Sequence, residues 1–498
     1  MDVLRHTIPL PMHGELRQVP RRACMDPAPP RKRRIDASSS IFRQVRGVVA
    51  DRKAFHDDPD AAKHKLARWQ SSQRKASAPF AASSANASIS WQDLEGLGRP
   101  RVSNGRVAAF VAENFGLTVT AISRLTGERD LNFRATAGGR SYVIKVANAS
   151  ESRAQLECEH AAMLHVARHL ARLGGGTPLE TPTPLELCGE DGKAKGGTIA
   201  CIEAEGGAQH LVRVLSFIEG RMWSSCEVAG GLAADFAASL GRTAALLDGA
   251  MLSFAHPAAA REHAWDLAAC QATVRAYLPE VGTQLSGPEA EAARALVLHF
   301  VQLHEAEVAP LLRSGALPRS CVHQDLNDNN VVCDAQGRVL GAIDFGDMNL
   351  TETCNNLAVA LAYAFFGRPK PLEVLAEAVR AILPRTLPYR PSHAATIPFP
   401  ALLPLYLLHH PVPCYQVRGY SEMRAISPAE LRALYPLACM RVCTTVVMAA
   451  HSAKLDPDNA EYLTISQAPA WEALRVLRTI DPQHATAVAL EAGGAAKA

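Results

Sequence analysis

The stretch Cys321–Asp347, CVHQDLNDNNVVCDAQGRVLGAIDFGD, carries the pattern that decides the fold. A short apolar lead is followed by His323, Asp325 and Asn330 in an H-x-D-x-x-x-x-N spacing. Val331-Val332 then enters the polar turn Asp334-Ala335-Gln336-Gly337, and a second apolar run, Val339 to Ile343, delivers Asp344 and Asp347. Two apolar runs across a polar, glycine-containing turn predict a β-hairpin. A loop and a hairpin thus present two carboxylates and an amide to one place. Phosphoryl transfer needs those groups. Asp325 can accept or orient the proton of an attacking hydroxyl, and Asn330 and Asp344 offer hard oxygens to Mg²⁺ bridging nucleotide phosphates. Capping side chains in a polar loop explain a single such residue, but not the paired spacing.

With the form HxDxNDxN…IDFGDM, the chain resembles the aminoglycoside/choline-kinase-like phosphotransferases over roughly residues 100 to 480. Within them that form looks most like the hydroxylysine kinases, and Leu434-Tyr435-Pro436-Leu437 and Glu461-Tyr462-Leu463-Thr464-Ile465-Ser466 add to the resemblance. Gln324 departs from the pattern, standing where the superfamily usually has glycine. The resemblance implies an α+β, bilobal protein-kinase-like fold. A small antiparallel-sheet N-lobe would span residues 96–218 and a mainly helical C-lobe 219–485. A disordered basic extension (1–95) would precede them and a flexible tail (486–498) would follow.

In the first lobe, Ser103 or Asn104 caps a helix with Val107, Phe110, Val111 and Phe115 on one face, and Gly116 ends it. Three strands follow, at 118–125, 132–137 and 141–146. Lys145, between Ile144 and Val146, points opposite to both. The resemblance makes it the phosphate-contacting lysine. Its ion-pair partner falls on a long helix capped by Ser150: Glu159 first, Glu157 second, since residues two apart on a helix cannot reach one ammonium. No G-x-G-x-x-G occurs here, so the turn from Thr126 to Asn132, with Asn132 itself, is the expected phosphate cover. Ser216 to Gly220 is the expected hinge, where backbone groups at Ser216 and Ile218 would read the base of ATP or GTP.

Beyond residue 230 the pattern is helical, with candidates at 232–249, 289–313, 352–366, 372–382, 428–450 and 469–480. The helix expected at Glu352 leaves no room after Asp347 for the segment of roughly 20–30 residues on which a protein kinase docks a polypeptide. A small alcohol is therefore the expected acceptor. Asp328 and Asp347 are placed to meet an amine, and Arg418 or Arg441 to meet a carboxylate. The resemblance names 5-hydroxy-L-lysine. Choline, ethanolamine, homoserine, a methylthiopentose or an aminoglycoside are the alternatives, as is an inactive nucleotide-binding scaffold. The intact Asp325, Asn330, Asp344 and Lys145 argue against that last reading.

A hydrophobic share of 48% with 20% charged residues suits a soluble globular chain. The 12 cysteines show no C-x-x-C pair, which suits a reducing compartment. The richest apolar run, Ile397 to Leu408, is broken by prolines, so no membrane partner is expected. Residues 1–90 hold 17 of the 52 Lys and Arg but 8 of the 49 Asp and Glu, leaving a mildly acidic body. That distribution argues against nucleic acid binding by the folded part. The extension, with Arg31-Lys32-Arg33-Arg34, has no sustained apolar period. A cytoplasmic location is expected, with organellar targeting by the extension as the alternative. Nothing in the pattern sets the oligomeric state.

Overall fold

The computed structural model describes residues 99–173, 179–189, 193–226, 234–281, 287–381 and 425–494. The expected basic extension and Arg418 lie outside the described residues.

Helix α1 (Asn104–Phe115) starts where Ser103 Oγ accepts the Arg106 N–H at 3.3 Å and stops at Gly116, whose φ of 66° glycine adopts without strain. Five strands follow: β1 (Val119–Leu125), β2 (Leu131–Ala137), β3 (Arg140–Val146), β4 (Ile199–Glu203) and β5 (Gln209–Ser216). They form one antiparallel sheet in the order β1-β2-β3-β5-β4. Leu131, Phe133, Ala135 and Ala137 alternate inward along β2. Leu131, Phe133 and Ala135, with Ile144, Val212 and Val214, bury the apolar stripe of α1. The opposite face carries Lys145 and its cross-strand neighbour Arg213 and meets helix α2 (Arg153–Leu173). Ser152, not Ser150, caps α2: its Oγ accepts the Gln155 N–H at 3.1 Å. Asn148 Oδ1 holds both the N–H and the hydroxyl of Ser150 at 3.0 Å, which removes that residue from the cap.

The second lobe comprises α3 (Ala234–Met251), α4 (Cys270–Tyr277), α5 (Pro288–Glu307), α6 (Asn355–Ala364), α7 (Pro371–Arg380), α8 (Pro428–Leu455), α9 (Gln467–Leu477) and α10 (Pro482–Ala492). Helix α8 begins in a capping box between Ser427 and Glu430. It is long and apolar enough to cross a bilayer, but 94% of its apolar window is buried against the rest of the lobe. Its apolarity therefore belongs to the core. Gly241 lets α3 approach α7 closely, because a Cβ there would collide with the Ala378 carbonyl oxygen.

Two expectations fail here. Residues 486–492 are not a flexible tail: α10 is capped by Asp481, and its Ala485, Ala489 and Ala492 are buried. Alanines bury little apolar area each, so the packing face left a faint trace in the sequence. The helix expected from Glu352 begins at Asn355, because Asn349–Glu352 forms strand β10, paired antiparallel with β7 (Arg319–Val322). The chain after Asp347 thus enters a mostly buried strand at once, with no intervening segment on which a polypeptide could dock.

Candidate active site

Strands β8 (Val331–Cys333) and β9 (Val339–Ala342) form the expected hairpin, with β6 (Arg221–Met222) paired to β8, and Val331 pairs with Ala342. That register sets Asn330 beside Ile343, whose N–H donates to the Asn330 carbonyl at 2.9 Å, and so brings Asp344 to the catalytic loop. His323 ties the two halves together. Its Nδ1 accepts the Asp325 N–H at 3.2 Å, so Nε2 carries the proton and donates to the Ile343 carbonyl at 3.1 Å. Burial pushes its pKa down to about 4, and at 1% exposure it cannot meet a substrate. His323 is thus a strut, not the second catalytic group expected from the sequence.

Asp325 accepts from Arg441 Nη2 at 2.7 Å and Asn327 Nδ2 at 2.8 Å through Oδ1, and from Asn330 Nδ2 at 2.5 Å through Oδ2. Burial and the charges of Asp347 and Asp344 push its pKa up to about 8, with Arg441 pulling the other way. Asp344 has a φ of 61° and lies 3.1 and 3.2 Å from the Lys145 ammonium. Burial opposes its ionisation, but Lys145 and Arg213 outweigh burial and hold the carboxyl below its usual range. The Asn330 amide nitrogen is engaged by Asp325, which leaves the amide oxygen for a metal. One carboxylate and one amide oxygen suit Mg²⁺, which fills its shell with phosphate oxygens and water. Lys145, drawn onto Asp344, marks where positive charge is wanted.

These groups line one cleft of about 400 Å³ between the sheet and the helical lobe. Thr126 to Asp130 of the β1–β2 turn and Asn132 line it as expected, as do Ser216 and Ile218. The Ser216 N–H, however, donates to the Thr183 carbonyl at 2.9 Å, so it is not available to a base. Glu159 also lines the cleft but does not pair with Lys145. Its partner is Arg213, at 2.8 Å, because the guanidinium next to Lys145 on the sheet takes the carboxylate of α2. Glu157 is exposed.

The model for a phosphotransferase enzyme family, APH, matches residues 121–394, more than half of the chain. The chain belongs to this family. It is a phosphotransferase acting on an alcohol group of a small molecule. A hydroxylysine kinase of Bos taurus is 25% identical over 409 residues, covering 77% of this chain and 91% of its own. That of Mus musculus is 25% identical over 410 residues, 78% of this chain and 92% of its own. The solved structure of an amicoumacin kinase with AMP-PNP and Ca²⁺ aligns with a TM-score of 0.47 and 14% identity, over 77% of this chain and 97% of that one.

On the acceptor side the phosphotransferase departs from its sequence reading. Asp328 is absent from the cleft lining. Its carbonyl accepts the Ser224 N–H at 2.7 Å, and burial pushes its carboxyl up to about 6. Asp347 does line the cleft, but it is already paired with His263 at 3.2 Å and Arg129 at 3.8 Å. Burial opposes its ionisation, but contact with His263 and the Arg129 charge outweigh burial and hold the carboxyl below its usual range. Arg441, 2% exposed, packs over Trp265 at 4.5 Å and holds Asp325; its Nε and Nη1 have no hydrogen-bond partner among the described residues. Sequence reasoning missed Arg129, Arg213 and His263. Arg213 carried a usable signal, a charged residue within the apolar run Leu211–Leu215, the same logic that singled out Lys145. Tyr462, within the quoted Glu461–Ser466 stretch, lines the cleft.

Proposed function

We propose that the phosphotransferase moves the γ-phosphate of ATP or GTP to the hydroxyl of a small amine-bearing acceptor, with 5-hydroxy-L-lysine the first compound to test. The observation that carries this reading is the meeting of Asp325, Asn330, Asp344 and Lys145 in one cleft. Asp325 takes the hydroxyl proton as the acceptor oxygen bonds to the γ-phosphorus. The bond from that phosphorus to the bridging oxygen breaks, and the nucleoside diphosphate leaves. A carboxyl raised toward neutral pH is well matched to a base working there. Asn330 and Asp344 are the ligands for Mg²⁺, which when bound neutralises phosphate charge. Lys145 contacts the phosphates, Asn132 and the β1–β2 turn cover them, and the backbone of Ile218 reads the base.

The amine preference is supported by charge. The lining holds seven Asp and Glu side chains against three Lys and Arg, and a nucleotide adds further negative charge, so a cationic acceptor is favoured. Hydroxylysine itself is supported by the names of the relatives. Arg441, buried and outside the cleft lining, serves this reading by holding Asp325 rather than by meeting the acceptor's carboxylate. The test is a panel of alcohols with ATP and GTP, read by nucleoside diphosphate release and by mass of the product, with lysine as the hydroxyl-free control. Phosphorylation of 5-hydroxylysine supports the reading. A preference for neutral sugars would overturn the amine part, and transfer to none of the panel would favour a nucleotide-binding scaffold.

A further inference from the structure

We propose that Gln324 is a positioning residue whose side chain fixes the backbone turn that aims Asp325, an inference that rests on the reading of Asp325 as the base. Gln324 is fully buried with a φ of 68°, in the left-handed region that costs any residue with a Cβ. A glycine would adopt this turn freely. Here the turn is held from the side-chain end. Gln324 Nε2 donates to Asp266 Oδ1 at 2.9 Å and to Asn349 Oδ1 at 3.1 Å.

Asp266 is the hub of this anchor. Besides Gln324 it accepts from Thr351 Oγ1 at 2.7 Å, Asn349 Nδ2 at 2.9 Å and the Ala268 N–H at 3.0 Å. Asn349 and Thr351 lie on β10, which pairs with β7, the strand that feeds the catalytic loop. Asn355 Nδ2, at the start of α6, donates to Thr351 Oγ1 at 3.1 Å. The residue immediately before Asp325 is therefore bolted to a strand, a loop and a helix start. His323, on its other side, is bolted to Ile343. Between them the peptide carrying Asp325 has little freedom. A side chain that only filled space would need neither amide hydrogens aimed at a carboxylate nor a backbone conformation unfavourable to it.

The test compares Gln324→Gly, Asp266→Asn and the double variant with the parent. Transfer from Mg·ATP to 5-hydroxy-L-lysine is measured, together with the slow transfer to water from Mg·ATP alone, and each melting temperature. Glycine suits the φ but leaves a void and Asn349 Oδ1 without its donor, so Gln324→Gly should melt a few degrees lower while keeping its KM for ATP. It should lose roughly 10- to 100-fold in kcat, the scale of a reacting group displaced by about an ångström. Asp266→Asn turns one acceptor into a donor facing Asn349 and should lose kcat to a similar degree, with no further loss in the double variant. Gln324→Gly at the parent kcat overturns the proposal, as does a kcat loss that only tracks lost thermal stability. Asp325→Asn is run alongside. If it turns over at the parent rate, the reading of the base fails; if it is inactive while Gln324→Gly is normal, this inference alone fails.

Discussion

Asp325→Ala, set against Arg441→Met and the two combined, tests the buried pair at the centre of the site. In Asp325→Ala the Arg441 guanidinium, 2% exposed, loses the carboxylate it meets at 2.7 Å. Breaking one side of a buried pair costs about 3–5 kcal/mol, whereas replacing both members is often close to neutral. At roughly 2 °C per kcal/mol for a large domain, Asp325→Ala should melt about 6–10 °C below the parent, and the double variant should recover most of that. Turnover separates the roles. Asp325→Ala should lose about 10²–10⁴-fold in kcat, which is roughly 3–5 kcal/mol of barrier. Arg441→Met keeps the base but removes the charge that favours its ionised form. The proton is then held more tightly, so the rising limb of kcat against pH moves to higher pH. Thermal scans and kcat profiles from pH 5.5 to about 9 decide the matter. Single-variant losses that simply add in the double variant, or an unmoved pH limb in Arg441→Met, would refute the reasoning.

Asp344→Ala should abolish Mg²⁺-dependent nucleotide binding and with it turnover, and an unchanged Mg²⁺ titration would show that another residue is the ligand. Arg213→Met should cost about 3–5 kcal/mol by stranding Glu159, which is 1% exposed. Glu157→Ala should stay within about 0.5 kcal/mol, and equal effects in denaturant titrations would contradict the Arg213–Glu159 pairing. Burial lowers the pKa of His160 to about 3 and of His304 and His323 to about 4. The unfolded chain binds more protons between those values and about 6.5, so stability should fall through that window as pH drops. A melting temperature flat from pH 6.5 to 4 would count against it.

The hairpin after Asn330 and the strands of the first lobe could be read from residue pattern alone. In each case the informative contacts are local. Antiparallel pairing across a short turn brings Asn330 beside Ile343, and strand alternation alone points Lys145 away from Ile144 and Val146. The helix at Asn104 was legible to within a residue for the same reason, since Ser103 or Asn104 marks its start and Gly116 its end. The partners of the buried charges emerged only once the chain was folded. Lys145 meets Asp344, Glu159 meets Arg213, Asp347 meets His263 and Arg129, and Asp325 meets Arg441, 116 residues along the chain. No periodicity encodes which of several carboxylates a buried cation will reach, because that choice depends on where whole strands and helices pack. For the same reason the family resemblance could flag Gln324 where glycine is usual, but not that its amide would reach Asp266 and Asn349 with the backbone at a positive φ.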